Sequence, residues 1–287
     1  MHMSDALLSP AVALSMYAVS GAAIAYSCAK MKNEELSEKN LPVTAIAGAF
    51  VFAAQMVNFT IPATGSSGHI GGGVLLAALL GGSPALLAMT CVLVIQCLFF
   101  ADGGLLALGA NIFNMGVIPS LFCYPIFFKP LLRKEITPAR LMAASVISVV
   151  IALQLGAFAV VLQTLASGIT ALPFKVFALL MQPIHLAIGI VEGVVTGAVL
   201  TFVWKTRPEI LDAADGKASA PAVLSMRNFI STFAVLTFIT AAVISGFASS
   251  LPDGLEWSIE RAAGTGELES SGTIREAADT LQKKSAI

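Results

Sequence analysis

Charged side chains are scarce in this sequence of 287 residues, since Asp, Glu, Lys and Arg together make up only 11%. A soluble domain carries about 25% charged residues, so the composition excludes an ordinary soluble globular protein. The formal net charge is −1, and without a basic excess we expect no nucleic-acid partner. The mean hydropathy is +0.87. Several apolar runs reach about 20 residues, which is the length of a membrane-spanning helix in contact with lipid.

Cysteine pairs and catalytic motifs are missing as well. None of the four cysteines forms a CxxC pair, so the sequence predicts neither a disulfide framework nor a thiolate metal site. There is no HExxH zinc-protease motif and no GxxxxGK[ST] phosphate-binding loop. Ser67 and His69 are too close in sequence to make a convincing intramembrane serine protease. We therefore expect a protein that is not an enzyme.

The apolar runs predict an all-α, polytopic membrane helix bundle of about seven helices plus one C-terminal transmembrane helix. The runs are continuous and not alternating, which excludes a β-barrel. No basic residue precedes the first run, so we interpret it as a retained helix and not as a signal peptide. An irregular Gly/Ser loop is expected over 60–73, and the last 38 residues are expected to form a polar tail without a further span. The predicted helices cover about 6–29, 43–59, 73–81, 84–100, 105–128, 140–166, 174–204 and 228–249.

Three parts follow from this pattern: a transmembrane domain over 1–205, a cytoplasmic linker over 206–226, and a transmembrane segment with an extracytoplasmic tail over 227–287. Loops near 30–42, 129–140 and 205–227 hold eleven of the sixteen basic residues. Because basic loops stay in the cytoplasm, the N-terminus is predicted to be extracytoplasmic in the cell (inner or plasma) membrane. His2 and His69 then lie on the same side and can meet.

The three histidines are His2, His69 and His185. A chain that begins Met-His offers three nitrogens in a row: the Met1 α-amine, the His2 amide and the His2 imidazole. These nitrogens can form fused chelate rings around Ni²⁺ or Cu²⁺, which favour square-planar nitrogen ligands, and Co²⁺ can use the same set. Zn²⁺ prefers a tetrahedral site. One ligand position remains, and His69 is the natural candidate.

Further polar residues lie in or beside the predicted spans. Gln55 and Asn58 are one helical turn apart, as are Asn111 and Asn114. Such residues usually join helices by hydrogen bonds, or they could orient the histidine ligands from behind. Candidates for that second role are Asn58, Ser66, Ser67 and Asn111.

His185 and Glu192 are seven residues apart, which places them two turns apart on one face of a predicted helix. They could pair structurally, contact a partner, form a second metal station or relay protons. Glycines at 189, 193 and 197 are spaced by four, and this spacing predicts a close helix-packing seam.

Five motifs are found along the chain: Met1-His2, Asn58-Phe59-Thr60-Ile61-Pro62, Thr64 to His69, Leu108-Gly109-Ala110-Asn111 and His185…Gly189…Glu192-Gly193. Together they resemble the CbiM/NikM family, the substrate-binding components of energy-coupling-factor importers for cobalt and nickel. The resemblance covers roughly residues 1–205. It implies that the N-terminus folds back into an outer cavity and that Met1, His2 and His69 bind Ni²⁺ or Co²⁺ as the transported substrate. Cobalt-type members often carry His where Asp102 stands.

The C-terminal part carries a second resemblance. A single span is followed by Leu251-Pro252-Asp253-Gly254-Leu255-Glu256-Trp257, which looks like the PDGLE signature of the small CbiN/NikN accessory subunits. Those subunits typically have two spans, and the second is missing here. The chain has no nucleotide-binding motif, so the resemblance implies a transmembrane coupling subunit and cytoplasmic ATPases as partners.

Two alternatives stay open. A stand-alone metal permease would need paired ionisable groups along a polar path through the membrane, and only His185 with Glu192 qualifies clearly. A vitamin-carrying component of the same importer class would need an aromatic and polar cavity, and its Met-His start would be incidental.

Overall fold

The computed structural model describes residues 1–33, 41–133, 135–170, 172–215, 223–264 and 273–286. Most of them are helical, and the strands described form one short hairpin. The helices are α1 (Pro10–Asn33), α2 (Leu41–Gln55), α3 (Gly73–Leu80), α4 (Gly82–Phe100), α5 (Leu108–Ile112), α6 (Lys129–Leu132), α7 (Pro138–Ser167), α8 (Phe174–Thr206), α9 (Pro208–Asp215), α10 (Met226–Ala242), α11 (Gly254–Ala263) and α12 (Thr273–Ser285). The strands are β1 (Phe59–Ile61) and β2 (Ser66–Gly68).

Six helical segments in the described part are long and apolar enough to cross a membrane, which confirms the prediction of an all-α membrane bundle. Between α5 and α6 the chain stays helical, with π-type winding over Phe113–Phe128, so these three pieces form one span. The second predicted helix is shorter than expected, because α2 ends at Gln55 and not near residue 59. The six spans are Pro10–Met31, Gly82–Phe100, Leu108–Leu132, Pro138–Ser167, Phe174–Thr206 and Met226–Phe247.

The most extensive helix–helix contact among the described residues is between α7 and α8. A Cβ atom at Gly193 would come within 2.6 Å of the Val146 Cα, and one at Gly189 within 3.1 Å of the Val150 Cα. Larger side chains would therefore force the two helices apart. The predicted small-residue seam is confirmed, and it fixes the position of the α8 face that carries His185 and Glu192.

The segment after α2 is more ordered than the predicted irregular loop. β1 and β2 pair in antiparallel fashion with Phe59 opposite Gly68. Gly65, in the connection between the two strands, has a φ of +76°, a backbone conformation that glycine adopts without steric cost. The hairpin ends at Gly68, so its geometry sets the position of the next residue, His69.

The C-terminal region is also more structured than the predicted polar tail, although no further span follows α10 among the described residues. α11 packs on α8 and β2, and α12 packs on α4. The Gln282 side chain of α12 donates to the carbonyl oxygens of Cys97 (2.9 Å) and Gly103 (2.6 Å). The end of the chain therefore covers the same end of the bundle as the N-terminus.

Candidate metal centre

The N-terminal segment lies inside the bundle and not on its surface. The Met3 backbone amide donates to the Asn111 side-chain oxygen (2.8 Å). The Asn111 side-chain nitrogen donates in return to the Met3 carbonyl (3.2 Å). The Gly104 amide also donates to the Met3 carbonyl (2.8 Å), and Met3 is fully buried. The Asp5 carboxylate accepts from the Ala107 amide (2.9 Å). Asn111 thus holds the segment that carries His2, and its hydrogen bonds in the described structure go to Met3 and not to the imidazole.

The structure brings His2 and His69 together. Their rings are stacked, with centroids 5.1 Å apart and planes inclined by 25°. The His2 Nε2 atom lies 3.2 Å from the Gln96 side-chain oxygen, and its Nδ1 atom lies 3.3 Å from an Asp102 oxygen. The predicted meeting of the two histidines is therefore present in the fold, although 67 residues separate them in the sequence.

Glu192 positions the loop that carries His69. Its two carboxylate oxygens accept from the amides of Gly71 (2.7 Å) and Gly72 (2.8 Å). The Gln55 side chain donates to the Gly71 carbonyl (2.7 Å), so the amide and the carbonyl of Gly71 both have hydrogen-bond partners. Structural pairing of Glu192 with His185 was one of the four open interpretations, and the described structure shows the Glu192 carboxylate bonded to the two backbone amides instead. The His185 Nδ1 atom forms a hydrogen bond with the Met181 carbonyl of its own helix (2.8 Å).

One nitrogen of His69 is left for a ligand. Its Nδ1 atom lies 3.2 Å from the Ile70 carbonyl, and a carbonyl can only accept, so Nδ1 carries the proton. The other nitrogen, Nε2, then presents a lone pair, and it is buried without a hydrogen-bond partner in the described structure. A buried unsatisfied acceptor is rare and calls for an explanation, which a metal ion bound at Nε2 would provide.

The α-amine of Met1 points toward the same place. It forms an ion pair with one oxygen of Asp253 at a distance of 3.1 Å. The other Asp253 oxygen caps α11 by accepting from the amides of Leu255 and Glu256, both at 2.8 Å. The Glu256 carboxylate in turn accepts from the Asp253 amide (3.1 Å). A single carboxylate therefore joins the first residue of the chain to the start of a C-terminal helix.

Burial keeps both imidazoles neutral. Burial first, and then the Met1 ammonium, lower the pKa of His2 from 6.5 to about 3. The same two causes, with His2 as a third, lower the pKa of His69 to about 4. Burial alone would raise the pKa of Asp253, but the Met1 ammonium brings it below its ordinary value. Neutral imidazoles are the form that binds metal, so both rings are ready at neutral pH.

The residues present fit a metal ion only if main-chain nitrogens take part. Among the described residues, no group of three or more His, Cys, Asp or Glu side chains is placed to hold a metal. The Met1 amine, the His2 amide and imidazole, and the His69 Nε2 atom together offer four nitrogens. Such an all-nitrogen set suits Ni²⁺, which forms planar complexes, and it suits Zn²⁺ less well.

Three predicted supporting residues have other partners than those expected. The Ser67 hydroxyl donates to the Leu251 carbonyl (2.7 Å), and the Ser67 amide donates to the Pro252 carbonyl (2.8 Å). The Ser66 hydroxyl lies 3.4 Å from the same Pro252 carbonyl. Asn58 lies outside α2, where its carbonyl accepts from the Ser249 amide (2.8 Å). These residues hold the C-terminal segment, and none of them forms a hydrogen bond with His2 or His69 in the described structure.

Sequence reasoning missed two residues of the centre. Gln96 bonds to His2 and also donates to the Gln55 side chain (2.7 Å), and its signal was a lone amide in the apolar helix α4. Asp253 was noticed only as part of a motif. The sequence showed an acidic residue shortly after a membrane span. Its partner, the Met1 amine, is 252 residues away, so no local pattern could predict the pair.

An open cavity of about 480 Å³ leads from the surface to His2. The N-terminal segment, the loop after α4, α11 and α12 form its walls, so the C-terminal segment builds one side of the entrance. A negatively lined cleft raises the local concentration of cations. Its acidic residues are Asp5, Asp102, Asp253, Glu256 and Asp279.

Comparison with known families covers almost the whole chain. Residues 2–210 match the family described as the cobalt uptake substrate-specific transmembrane region, CbiM. Residues 227–287 match the PDGLE domain. A putative fused nickel transport protein, NikMN, from Archaeoglobus fulgidus is 33% identical over 253 residues, which are 88% of this chain and 80% of that protein. A cobalt transport protein, CbiM, from Sorangium cellulosum is 32% identical over 184 residues, covering 63% and 80% respectively.

Two solved structures share the fold. One is titled as a truncated transition metal transporter and superposes with a TM-score of 0.63 at 30% identity, over 71% of this chain and 99% of that one. The other is titled as a transition metal transporter and gives a TM-score of 0.62 at 31% identity, over 71% and 93%.

Proposed function

Because the chain belongs to the CbiM family and carries a fused PDGLE domain, we propose that it captures Ni²⁺ or Co²⁺ as the substrate-binding subunit of an energy-coupling-factor importer. The observation that carries this proposal is the meeting of the Met1 amine, His2 and His69 in one buried place. No group of three or more His, Cys, Asp or Glu side chains in the described structure offers a competing metal site.

The binding step follows from the local geometry. A hydrated cation enters the acidic cleft and meets the Met1 amine, which Asp253 holds, and the His2 imidazole. The Met1 ammonium and the His2 amide each lose a proton, and both nitrogens bind together with the His2 imidazole. His69 Nε2 completes the set. Binding therefore releases protons and weakens as the pH falls.

We favour Ni²⁺ over Co²⁺ as the physiological substrate. Ni²⁺ stands above Co²⁺ in the affinity order for nitrogen sites, and it forms planar complexes readily. The fused relative from Archaeoglobus fulgidus also bears the name of a nickel transport protein. The ratio of the two dissociation constants, measured on one preparation, tests this choice, and a preference for Co²⁺ would reverse it.

The coupling subunit and the ATPases are part of the same proposal. A chain without a nucleotide-binding loop needs both to use ATP, and these partners would contact the membrane side opposite the metal centre. The N-terminus is accordingly proposed to face the extracytoplasmic side. ATP-dependent Ni²⁺ uptake into vesicles should require all three components, and uptake by this chain alone would favour the stand-alone permease.

Two features speak against the alternatives. The cavity beside His69 holds only about 10 Å³, whereas an organic ligand needs a pocket of about 300–1,000 Å³, and the larger cleft is lined by carboxylates. A permease would need free ionisable groups along its path, but backbone amides engage both Glu192 oxygens.

The experiment that tests the proposal is Ni²⁺ binding to the purified chain beginning at Met1, compared with a variant that has two glycines before Met1. A single glycine would not serve, because a histidine in third position forms a similar planar chelate. The matched control has two glycines added after Ile287. We expect tight binding in the parent and the control, and its loss in the first variant. Equal binding in all three would remove the Met1 amine from the site.

A further inference from the structure

His185 is a buried histidine that the proposed chelate does not use. It lies on α8 with a relative exposure of 0%. Its Nδ1 atom bonds to the Met181 carbonyl at 2.8 Å, so Nδ1 carries the proton and Nε2 presents the lone pair. That Nε2 atom has no hydrogen-bond partner in the described structure. An unsatisfied buried acceptor costs folding free energy, so its retention needs a cause.

His185 and His69 line the same small cavity. The cavity holds about 10 Å³, which is enough for one small ion or one water molecule. Each of these histidines has an Nε2 atom that is buried and without a hydrogen-bond partner in the described structure. Met115, Leu153 and Ile188 make part of the remaining wall apolar, and the Met1–Asp253 ion pair also borders the cavity. The two imidazoles are its neutral nitrogen donors.

The fused C-terminal segment closes the cavity on one side. Gly254 belongs to its wall, and a Cβ atom there would come within 3.2 Å of the His185 Cε1 atom. Asp253, the neighbouring residue, holds the Met1 amine. The same two residues of the PDGLE motif therefore contact the first ligand of the chelate and the histidine behind it.

We propose that this cavity is a second, transient metal station, which we call the inner station and define by His69 and His185. The inference rests on the proposed function, because it assigns the next position of the same ion. The bonds from the ion to the Met1 amine, the His2 amide and the His2 imidazole break, and water returns one proton each to the amine and the amide. His69 Nε2 keeps its bond, and one new bond forms to His185 Nε2.

The inner station suits release better than capture. It offers two neutral imidazoles in place of a four-nitrogen chelate, so it binds the ion more weakly. Glu192 lies two turns further along α8 and holds the loop after His69 through the Gly71 and Gly72 amides. A shift of this loop would therefore move His69 relative to His185 and open the way out of the station.

The test uses a His2→Ala chain, in which the main chelate has lost its imidazole while His69, His185 and the Met1 amine remain. Co²⁺ is the probe, because its visible spectrum reports the ligands of the ion. We expect weaker binding than in the parent, and a further loss of at least about tenfold when His185→Asn is added. Asn keeps a donor near the position of Nδ1 and removes Nε2.

Controls separate this result from misfolding. His185→Gln provides a second substitution: its amide reaches the Nε2 position but offers an oxygen in place of the imidazole lone pair, so it should also weaken Co²⁺ binding. Gln182→Asn, on the same helix but away from the cavity, should leave Co²⁺ binding to the His2→Ala chain unchanged. Thermal unfolding confirms that each variant folds.

Two results would overturn the inner station. One is an unchanged Co²⁺ affinity and spectrum when His185→Asn is added, as expected if the cavity holds only water. The other is a His2→Ala chain that binds no Co²⁺ at about 1 mM although the parent binds tightly. A parent that itself fails to bind Ni²⁺ or Co²⁺ would instead refute the proposed function.

Discussion

The two halves of the C-terminal segment meet the bundle in opposite ways. In the span that includes α10, only 11% of the most apolar stretch is buried, and Phe247, the last residue of the span, is 85% exposed. In α11, by contrast, Leu255 is 2% and Ser258 0% exposed. The first half, α10, presents apolar side chains outward, where lipid can cover them. The second half, which includes α11, forms polar contacts beside His69.

This difference shows where the segment acts. A lipid-facing helix needs only length and apolar composition, so most of its side chains can change freely. The PDGLE part bonds to β2 through Ser67 and to Met1 through Asp253, and the Trp257 indole donates to the Thr64 carbonyl (3.1 Å). We infer that α10 anchors the segment and that residues 249–263 serve the metal centre.

The largest effect is expected from Gly254→Leu. A Cβ there would already lie 3.1–3.2 Å from atoms of Ile184, His185 and Ile188, and the rest of the leucine would push α11 away from α8. Overpacking of this kind costs about 3 kcal/mol, so hydrogen exchange of the Ser67 amide should accelerate about 100-fold. Gly246→Leu is the matched control, because nothing lies within 4 Å of that position. Equal acceleration in both variants would contradict the contrast between the two halves.

Asp253→Asn should have the next largest effect. It removes the partner of the Met1 ammonium in a mostly buried ion pair, and such a charged hydrogen bond contributes about 2 kcal/mol. The rate at which an acylating reagent modifies the α-amine should rise about 30-fold. Glu260→Gln, on the exposed face of α11, should leave this rate unchanged. An unaltered rate in Asp253→Asn would mean that other contacts hold the N-terminus.

A moderate effect is expected from pH. The pKa values of His2 and His69 lie below 6.5 in the folded chain. When the N-terminal segment leaves the bundle and water reaches both rings, the two imidazoles bind protons more strongly than in the folded chain. The stability that burial of these neutral rings provides is present above pH 6.5 and is lost as the pH falls toward 4. From pH 7 to pH 6 the released population should grow about threefold per histidine. Proteolysis near Met3 measures this growth in the metal-free chain, and a His2→Gln variant should lose part of it.

The smallest effect is expected from Phe238→Ala on α10. This side chain is 69% exposed, so its removal leaves no cavity in the protein. Ni²⁺ affinity and Met1 acylation should both stay within about twofold of the parent. A drop as large as that of Gly254→Leu would show that α10 also serves the metal centre.

The fold class could be predicted because membrane helices depend on local composition. Continuous apolar runs indicated the spans, and glycines spaced by four indicated the seam of α7 and α8. The end of α2 was misplaced, since Gln55 and Asn58 both suit a helix and the hairpin that follows gave only a weak signal. The order of the C-terminal tail was missed because α11 and α12 are stabilised by contacts with distant elements.

The sequence by itself determined the chemistry of the candidate centre. Met-His supplies three adjacent nitrogens by covalent structure alone, and His69 was one of only two other histidines. Only the tertiary structure decided which groups surround them. Glu192 holds the His69 loop and not His185, Ser67 holds the C-terminal segment, and Asp253 holds the Met1 amine. The physical reason is that a donor has many possible acceptors in a sequence, and the packing of the helices selects the one that lies within 3 Å or so.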